Sequence, residues 1–373
     1  MPPREVAEEA ERVLRLCSAC MYCDGVCAVF PAIAGKATFS LTDVAHVANL
    51  CHACRGCWHA CQYAPPHPFA INVPQTLAAA RRHTYADFAR PRWLAGAFGR
   101  HAWMPAAVVG AVTVAALLLV VLTVPRETLF GVHRGGGAFY RVVPWGVMTT
   151  AAGLSFLWAV AAMTASTVAF WRAIAPPVSA RVVKRALWPA FVDVVTLSNL
   201  GGGGAGCNDV DGRFSRERRI AHHVMVGGFA LTILSTVSAA LWHHVADAPA
   251  PYPVFSLPVL AGTLGGVAML VGIGGLMSVE VRTDTTATEA QETRLNLIFL
   301  VLLGLVAASG LAVLALRETM LMGVTLTLHL GLVTGFFLVL PASKMMHAPY
   351  RAAALLRAAI DRIASPPRRS GGE

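Results

Sequence analysis

Eight cysteines in the first 61 residues stand at spacings that suit metal chemistry. Cys17, Cys20, Cys23 and Cys27 follow the pattern C-x2-C-x2-C-x3-C, and Cys51, Cys54, Cys57 and Cys61 repeat it at a constant offset of 34 residues. Three thiolates at steps of three can wrap one [4Fe-4S] cubane with a short loop, while the fourth, entering a helix, points elsewhere. Zinc prefers two separated pairs of ligands, so a third cysteine at the next step, twice over, argues for iron and sulfide. Residues 1 to 16 have no uninterrupted apolar core and no cleavage site of a secretory signal, so the thiols are expected to stay reduced in the cytosol.

In two-cluster ferredoxins the fourth cysteine of each run ligates the other cluster. On that pattern Cys17, Cys20, Cys23 and Cys61 hold one cluster, and Cys51, Cys54, Cys57 and Cys27 hold the second. Ala28 and Gln62 stand where the ferredoxin run has proline, and prolines follow instead at 31 and 65, again 34 apart. Between the runs, FSLTDVAHVANL reads as a helix with Thr42 as N-cap and Leu41, Val44, Val47 and Leu50 at helical spacing. A helical two-cluster module, similar to that of succinate dehydrogenase iron–sulfur subunits, is therefore expected in preference to a β-rich ferredoxin.

Histidines carry the second chemistry. Ionisable residues inside membrane spans are costly and usually functional, and neutral imidazole is a common axial ligand of haem iron. His222-His223 and His243-His244 mark the two ends of one long apolar segment, and His329 lies inside another that reaches His347. His329 and His347 are 18 residues apart; on one helix that returns to the same face after a rise of about 27 Å. His222 and His243 differ by about 60° in face and about 32 Å in rise. The levels pair His222 with His347 on the inner side and His243 with His329 on the outer side, allowing one or two b-type haems, with His223 and His244 as alternative ligands. Gly227 and Gly228 suit either a close porphyrin or close helix packing. His101 and His133 fall outside the pattern and are expected to be solvated.

These residues need a frame. Of the 373 residues, 56% are hydrophobic and 13% charged, which speaks against an ordinary soluble domain. Six apolar segments of membrane length fall at about 105–124, 143–170, 221–245, 254–279, 295–316 and 320–341. The net charge of +10 does not point to nucleic acid, because the arginines flank apolar stretches and form no basic stripe. Lys and Arg number five in residues 81–103, eight in 171–220, two in 280–294 and six from 342 onward, against three, none and one in the alternate connections. Both termini are thus expected on the cytoplasmic side of a bacterial inner membrane.

The expected fold is mainly α. A cytoplasmic two-cluster domain occupies 1–100, a six-span cytochrome b-like bundle 101–348, and a basic cytoplasmic tail 349–373. The cytoplasmic connection 171–220 contains LGGGGAGCND, which lacks the Lys-Ser or Lys-Thr of a phosphate loop and reads as a flexible surface loop, with Cys207 packing or lining an interface.

Two resemblances add to this. HLGLVTGFFLVLPASKMMH resembles the last ligand-bearing helix of the nitrate reductase gamma subunit superfamily, where two haem-ligating histidines stand at this spacing. The paired cysteine boxes, CxYCxGxCAVFP, ACQYAPPHPFAINVP and the GGGG-x-G-CN loop together resemble the tricarballylate utilisation protein B family, also called CitB-like, over nearly the whole chain. The resemblance implies a cytoplasmic FAD-containing dehydrogenase as partner, whose reduced flavin is reoxidised through the clusters and haem b to membrane quinone. This chain has no flavin fingerprint of its own, so the FAD belongs to the partner; the surface around Trp58, Tyr63 and Phe69 is a candidate meeting point. Two rival readings are a quinol-oxidising subunit feeding a reductase or a flavoprotein of cobalamin synthesis, and a membrane adaptor with structural metal sites.

Overall fold

The structure is a computed structural model that describes residues 4–98 and 101–364. It is helical throughout, and no strand forms among the described residues. The N-terminal part consists of α1 (Arg4–Cys20), α2 (Val29–Ile33), α3 (Leu41–Leu50), α4 (Gly56–His59) and α5 (Val73–Phe88). Its apolar core joins Ala10, Val13 and Leu14 of α1 to Val47 and Leu50 of α3 and Leu77 of α5. The N-cap of α3 is Ser40, not Thr42: its hydroxyl accepts from the Asp43 amide while the Asp43 carboxylate takes the Ser40 amide, a reciprocal box that Thr42 cannot make from inside the first turn.

Six helices are long and apolar enough to cross a membrane. They are α6 (Met104–Thr123), α8 (Trp145–Ile174), α10 (Glu217–Val245), α11 (Leu257–Arg282), α12 (Ala290–Leu316) and α13 (Met322–Val339); α7 (Arg126–Leu129) and α9 (Ala180–Thr196) lie in the connections. Small residues let two helix pairs approach closely. A Cβ on Gly228 of α10 would come within 2.6 Å of the Met269 backbone nitrogen of α11, and one on Gly331 of α13 within 2.8 Å of Thr113 Cα of α6. Gly228 therefore serves helix packing, while Gly227 faces open space.

The helix expected to run from His329 through His347 is broken. It ends at Val339, two short 3-10 turns occupy Leu340–Ala342 and Lys344–Met346, and His347 opens a new helix, α14 (His347–Ala364). Pro341 supplies no amide to continue the ladder, and the Ser343 hydroxyl accepts from the Met345 amide to start the second turn. The same-face argument for His329 and His347 thus has no continuous helix beneath it. The basic segment from 349 begins inside α14, whose Ala354, Leu355 and Ala358 enter the core of the cysteine head and whose Ile360 packs against Ala186 of α9; its end, from 365, lies outside the described residues.

Head and bundle are joined by buried charge. The Arg81 guanidinium of α5, 1% exposed, grips both carboxylate oxygens of Glu292 at 2.7 Å, and Lys344 Nζ donates to the same carboxylate at 2.5 Å. Removing one partner of such a buried set leaves the others charged and unpaired, so Glu292→Ala is expected to destabilise the protein by about 3–5 kcal/mol. Thermal unfolding in detergent measures this; a melting temperature equal to that of the unaltered protein would contradict it.

Candidate functional site

Cys17 and Cys20 sit on the last turn of α1, which ends where Met21 adopts a left-handed φ of 48°. Cys51 is the C-cap of α3, and the chain then turns through left-handed Ala53 and Arg55 into α4, which carries Cys57. These turns interleave the two runs. Cys61 stands with Cys17, Cys20 and Cys23 around one cavity of about 270 Å³, and Cys27 stands with Cys51, Cys54 and Cys57.

The two quartets differ in exposure. Cys20 is exposed and Cys17, Cys23 and Cys61 half-buried, whereas Cys51, Cys54 and Cys57 are buried. Burial, with Cys61, Cys23 and Cys20 close by, pushes the Cys17 thiol up to about 12, and burial pushes Cys23 to about 11. Cys27 is also raised by burial, although the amides of Val29 and Phe30 point at its sulfur and oppose the shift. Without metal these thiols hold their protons at neutral pH, so loading them releases protons.

The donor set fits a bulky cluster. Four sulfurs line a cavity, backbone amides are aimed at sulfur, and the Ala53 amide lies 3.4 Å from Cys51 Sγ. Among the described residues no three Cys, His, Asp or Glu side chains converge on a point that one metal ion would fill.

The Gly-rich connection is not a free loop. Cys207, 1% exposed, packs with Cys54 and Leu200, and the Asn208 amide donates to the Cys54 carbonyl at 3.0 Å. Cys207 Sγ donates to the Leu200 carbonyl at 3.2 Å, and its closeness to Cys54 lowers the Cys54 thiol and raises its own. A Cβ on Gly56 would meet the Gly202 carbonyl oxygen at 2.7 Å, so the loop backbone lies directly on the second cysteine run. Arg55 fastens the far side by donating to the Asp209 carbonyl at 2.5 Å and to Thr283 Oγ1 at 3.0 Å. These contacts correct the expectation of a flexible surface loop, and the packing expected of Cys207 is what the structure shows.

Of the predicted histidine pairs the structure brings one together. The rings of His222 and His347 lie 6.3 Å apart, centroid to centroid, at 82° to each other. Two imidazoles that each place a nitrogen about 2 Å from one metal, on opposite sides of it, hold their centroids about 6 Å apart. His347 Nδ1 donates to the Lys344 carbonyl at 2.7 Å, leaving Nε2 free, the usual arrangement of a ligating histidine. Burial, reinforced by Arg351 and Lys344, holds the His347 ring far below its ordinary pKa and hence neutral. His223 is directed elsewhere, with its nitrogens against the carbonyls of Arg219 and Val195.

The outer pair does not meet. His243 stacks on Trp145 at 5.0 Å and lies 3.3 Å from the Tyr140 hydroxyl, and His244 packs edge-on against Trp145. His329 shares a hydrogen bond of 2.9 Å with Ser309 and sits over Gly310. His101 is exposed, whereas His133 is half-buried and hydrogen-bonded to the Thr128 carbonyl.

A head with two interleaved cysteine quartets, set on six membrane-length helices with a close histidine pair between them, defines a multi-span helical protein with a ferredoxin-like head. Residues 10–87 match the family described as Citrate utilization protein B Fer4-like domain, and residues 100–368 match Citrate utilization protein B. Citrate utilization protein B of Escherichia coli is 38% identical over 361 residues, covering 96% of this chain and 93% of that protein. The chain belongs to the citrate utilization protein B family. No solved structure matches it.

The interleaving makes a distinction that iron content can read. Cys61→Ser should cost roughly four irons per chain and leave the shielded site filled, so the remaining iron is lost slowly to a chelator. Cys27→Ser should cost the same number and leave the exposed site filled, so its iron is lost fast. Equal lability in the two variants would refute the interleaved assignment.

Proposed function

We propose that this chain is a bacterial inner-membrane electron-transfer subunit with both termini cytoplasmic, carrying two [4Fe-4S] clusters and a b-type haem, and connecting the reduced FAD of a cytoplasmic dehydrogenase to membrane quinone. The observation that carries the reading is the approach of His222 and His347 to 6.3 Å, with Arg351, one turn after His347 on α14, donating to the Cys51 carbonyl. The clusters and haem, when bound, supply the one-electron carriers that a two-electron flavin donor and a quinone require between them. Cys17, Cys20, Cys23 and Cys61 would hold one cluster, Cys51, Cys54, Cys57 and Cys27 the other, and His222 and His347 the haem.

The protein's own residues set the order. The first quartet opens to solvent beside Tyr22, 69% exposed, and Phe69, 46% exposed, so a soluble partner can reach it. Tyr63 and Phe69 of that rim pack against each other at a tilt, and His67 meets both in T-shaped contacts. The second quartet is closed to water by the 200–208 loop and tied inward by Arg81 and Arg351, which both donate to the Cys51 carbonyl, at 2.6 and 2.9 Å. Access from the cytosol therefore favours entry at the first quartet and passage through the second toward the histidine pair. The excess of Lys and Arg in 81–103, 171–220 and from 342 supports cytoplasmic termini.

The name of the Escherichia coli relative connects this role with citrate utilization, and we take the partner to be a flavoprotein dehydrogenase of the tricarballylate type. With His243 and His329 apart, one haem suffices for this path. His222→Ala and His347→Ala are each expected to abolish most of the haem measured as pyridine haemochrome in purified protein, while His243→Ala retains it. Unchanged haem in both inner variants would sink the haem assignment. With the unaltered protein, reduced flavoprotein should bleach the oxidised clusters and added quinone should reoxidise the haem; failure of both steps would reject the partner.

A further inference from the structure

The connection from α8 to α10 holds a helix whose two sides differ. α9 lays Ala186 and Ala190 against Ala359 and Ile360 of α14, and its one acidic residue, Asp193, receives Arg362 of α14 at 2.8 Å. The opposite side is open. Leu187, Trp188, Phe191 and Val195 stand exposed there, Trp188 at 70%, and the Trp188 and Phe191 rings stack at 5.7 Å. At helical pitch these four residues fall on one stripe about 100° wide. Arg181, Lys184 and Arg185, also exposed, occupy the turns before it and form no ion pair among the described residues. The open side of α9 thus carries cations and apolar rings and no anion.

The level at which α9 lies follows from the spans it joins. α8 has 30 residues and α10 has 29, lengths of about 45 Å that match a bilayer together with its headgroups. Their ends therefore reach headgroup level. The carbonyl of Ile174, the last residue of α8, accepts from Arg357 of α14, the helix on which α9 packs. At the other end the Thr196 carbonyl accepts from Arg219 Nη2 at 2.6 Å, and the Val195 carbonyl from His223 Nε2 at 3.0 Å. α9 is thus held at both ends to the ends of spans. On α10, Ile220 between those two anchors and Val226 just beyond them are exposed, so apolar surface adjoins the attachment of α9. Trp103, at the N-cap of α6, is exposed as well, and tryptophan gathers where membrane meets water.

We propose that α9 is an interfacial helix seated in the cytoplasmic leaflet, an inference that rests on the membrane reading above. Leu187, Trp188, Phe191 and Val195 enter the boundary of the acyl chains, and Arg181, Lys184 and Arg185 meet the phosphates of anionic lipid. A helix with an aromatic and apolar stripe flanked by cations lies in the plane of that boundary, held by buried apolar area and by attraction to anionic headgroups. A protein partner would have to displace lipid from the stripe at that depth. Because Ala186 and Ala190 pack on α14, seating α9 in the leaflet also steadies the helix that begins at His347.

The test uses the purified full chain in nanodiscs of phosphatidylcholine, alone or mixed with phosphatidylglycerol. The chain has eight tryptophans, and the emission lost in Trp188→Phe isolates the share of Trp188. Lipid brominated high on its acyl chains is expected to quench that share. Phosphatidylglycerol is expected to raise the melting temperature of the unaltered chain, and the triple variant Arg181→Gln, Lys184→Gln, Arg185→Gln to lose more than half of the rise. The rise is measured within each chain, so a change in basal stability cancels. Trp188 emission that brominated lipid leaves intact overturns the proposal, whether acrylamide reaches it, as on a face kept for a soluble partner, or not, as under a second copy. An equal rise in the triple variant overturns it too. Release of the unaltered chain from membranes by alkaline carbonate overturns the membrane reading itself.

Discussion

The carboxylate of Glu292 is the joint on which the arrangement depends. It stands at the start of the fifth span and receives Arg81 from the cysteine head and Lys344 from the turn that leads to His347. Arg81 in turn donates to the carbonyls of Ala48 and Cys51. One buried anion therefore fixes the second cysteine run, a membrane helix and the histidine turn relative to one another. Burying these charges is unfavourable in itself, and the set persists because every member has a partner at short distance. Nonpolar packing would hold the pieces together; directed charge holds them in one register, as hydrogen bonds specify angles that apolar contact does not.

The geometry divides the head into an open side and a closed side. At the open side, aromatic rings stand at the rim of a cavity lined by sulfur. At the closed side, glycines permit the 200–208 loop to lie on the second run at backbone distance, and Cys207 fills the remaining space. The repeat in sequence thus does not yield two equivalent sites. Identical spacing produces unlike surroundings: Arg81, Arg351 and Cys207 close on the second run, whereas Cys17, Cys20 and Cys23 face an open cavity.

Much of this was legible in the sequence. The six spans and the helical head follow from apolar length and cysteine spacing, since both depend on local composition. The level argument pairs His222 with His347, whose rings lie 6.3 Å apart, while the continuous helix that would put His329 and His347 on one face is broken. Pro341 was the visible signal that the ladder would fail there. The Gly-rich segment was misread for a different reason: glycine signals flexibility and close approach alike, and only the tertiary contact with Gly56 decides between them. The buried charges could not be paired from sequence, because Arg81, Glu292 and Lys344 are separated by long stretches of chain and each alone resembles an ordinary flanking charge.

The last described helix carries one further consequence. Ala354, Leu355 and Ala358 of α14 sit in the same core as Ala10 and Leu14 of α1, and the Ala354 carbonyl meets His46 at 3.1 Å. The head, although made first, has no complete interior until nearly the whole chain has left the ribosome and six apolar helices have been threaded. Closure of the head core therefore coincides with completion of α14, and a chain ending before α14 leaves that core without Ala354, Leu355 and Ala358.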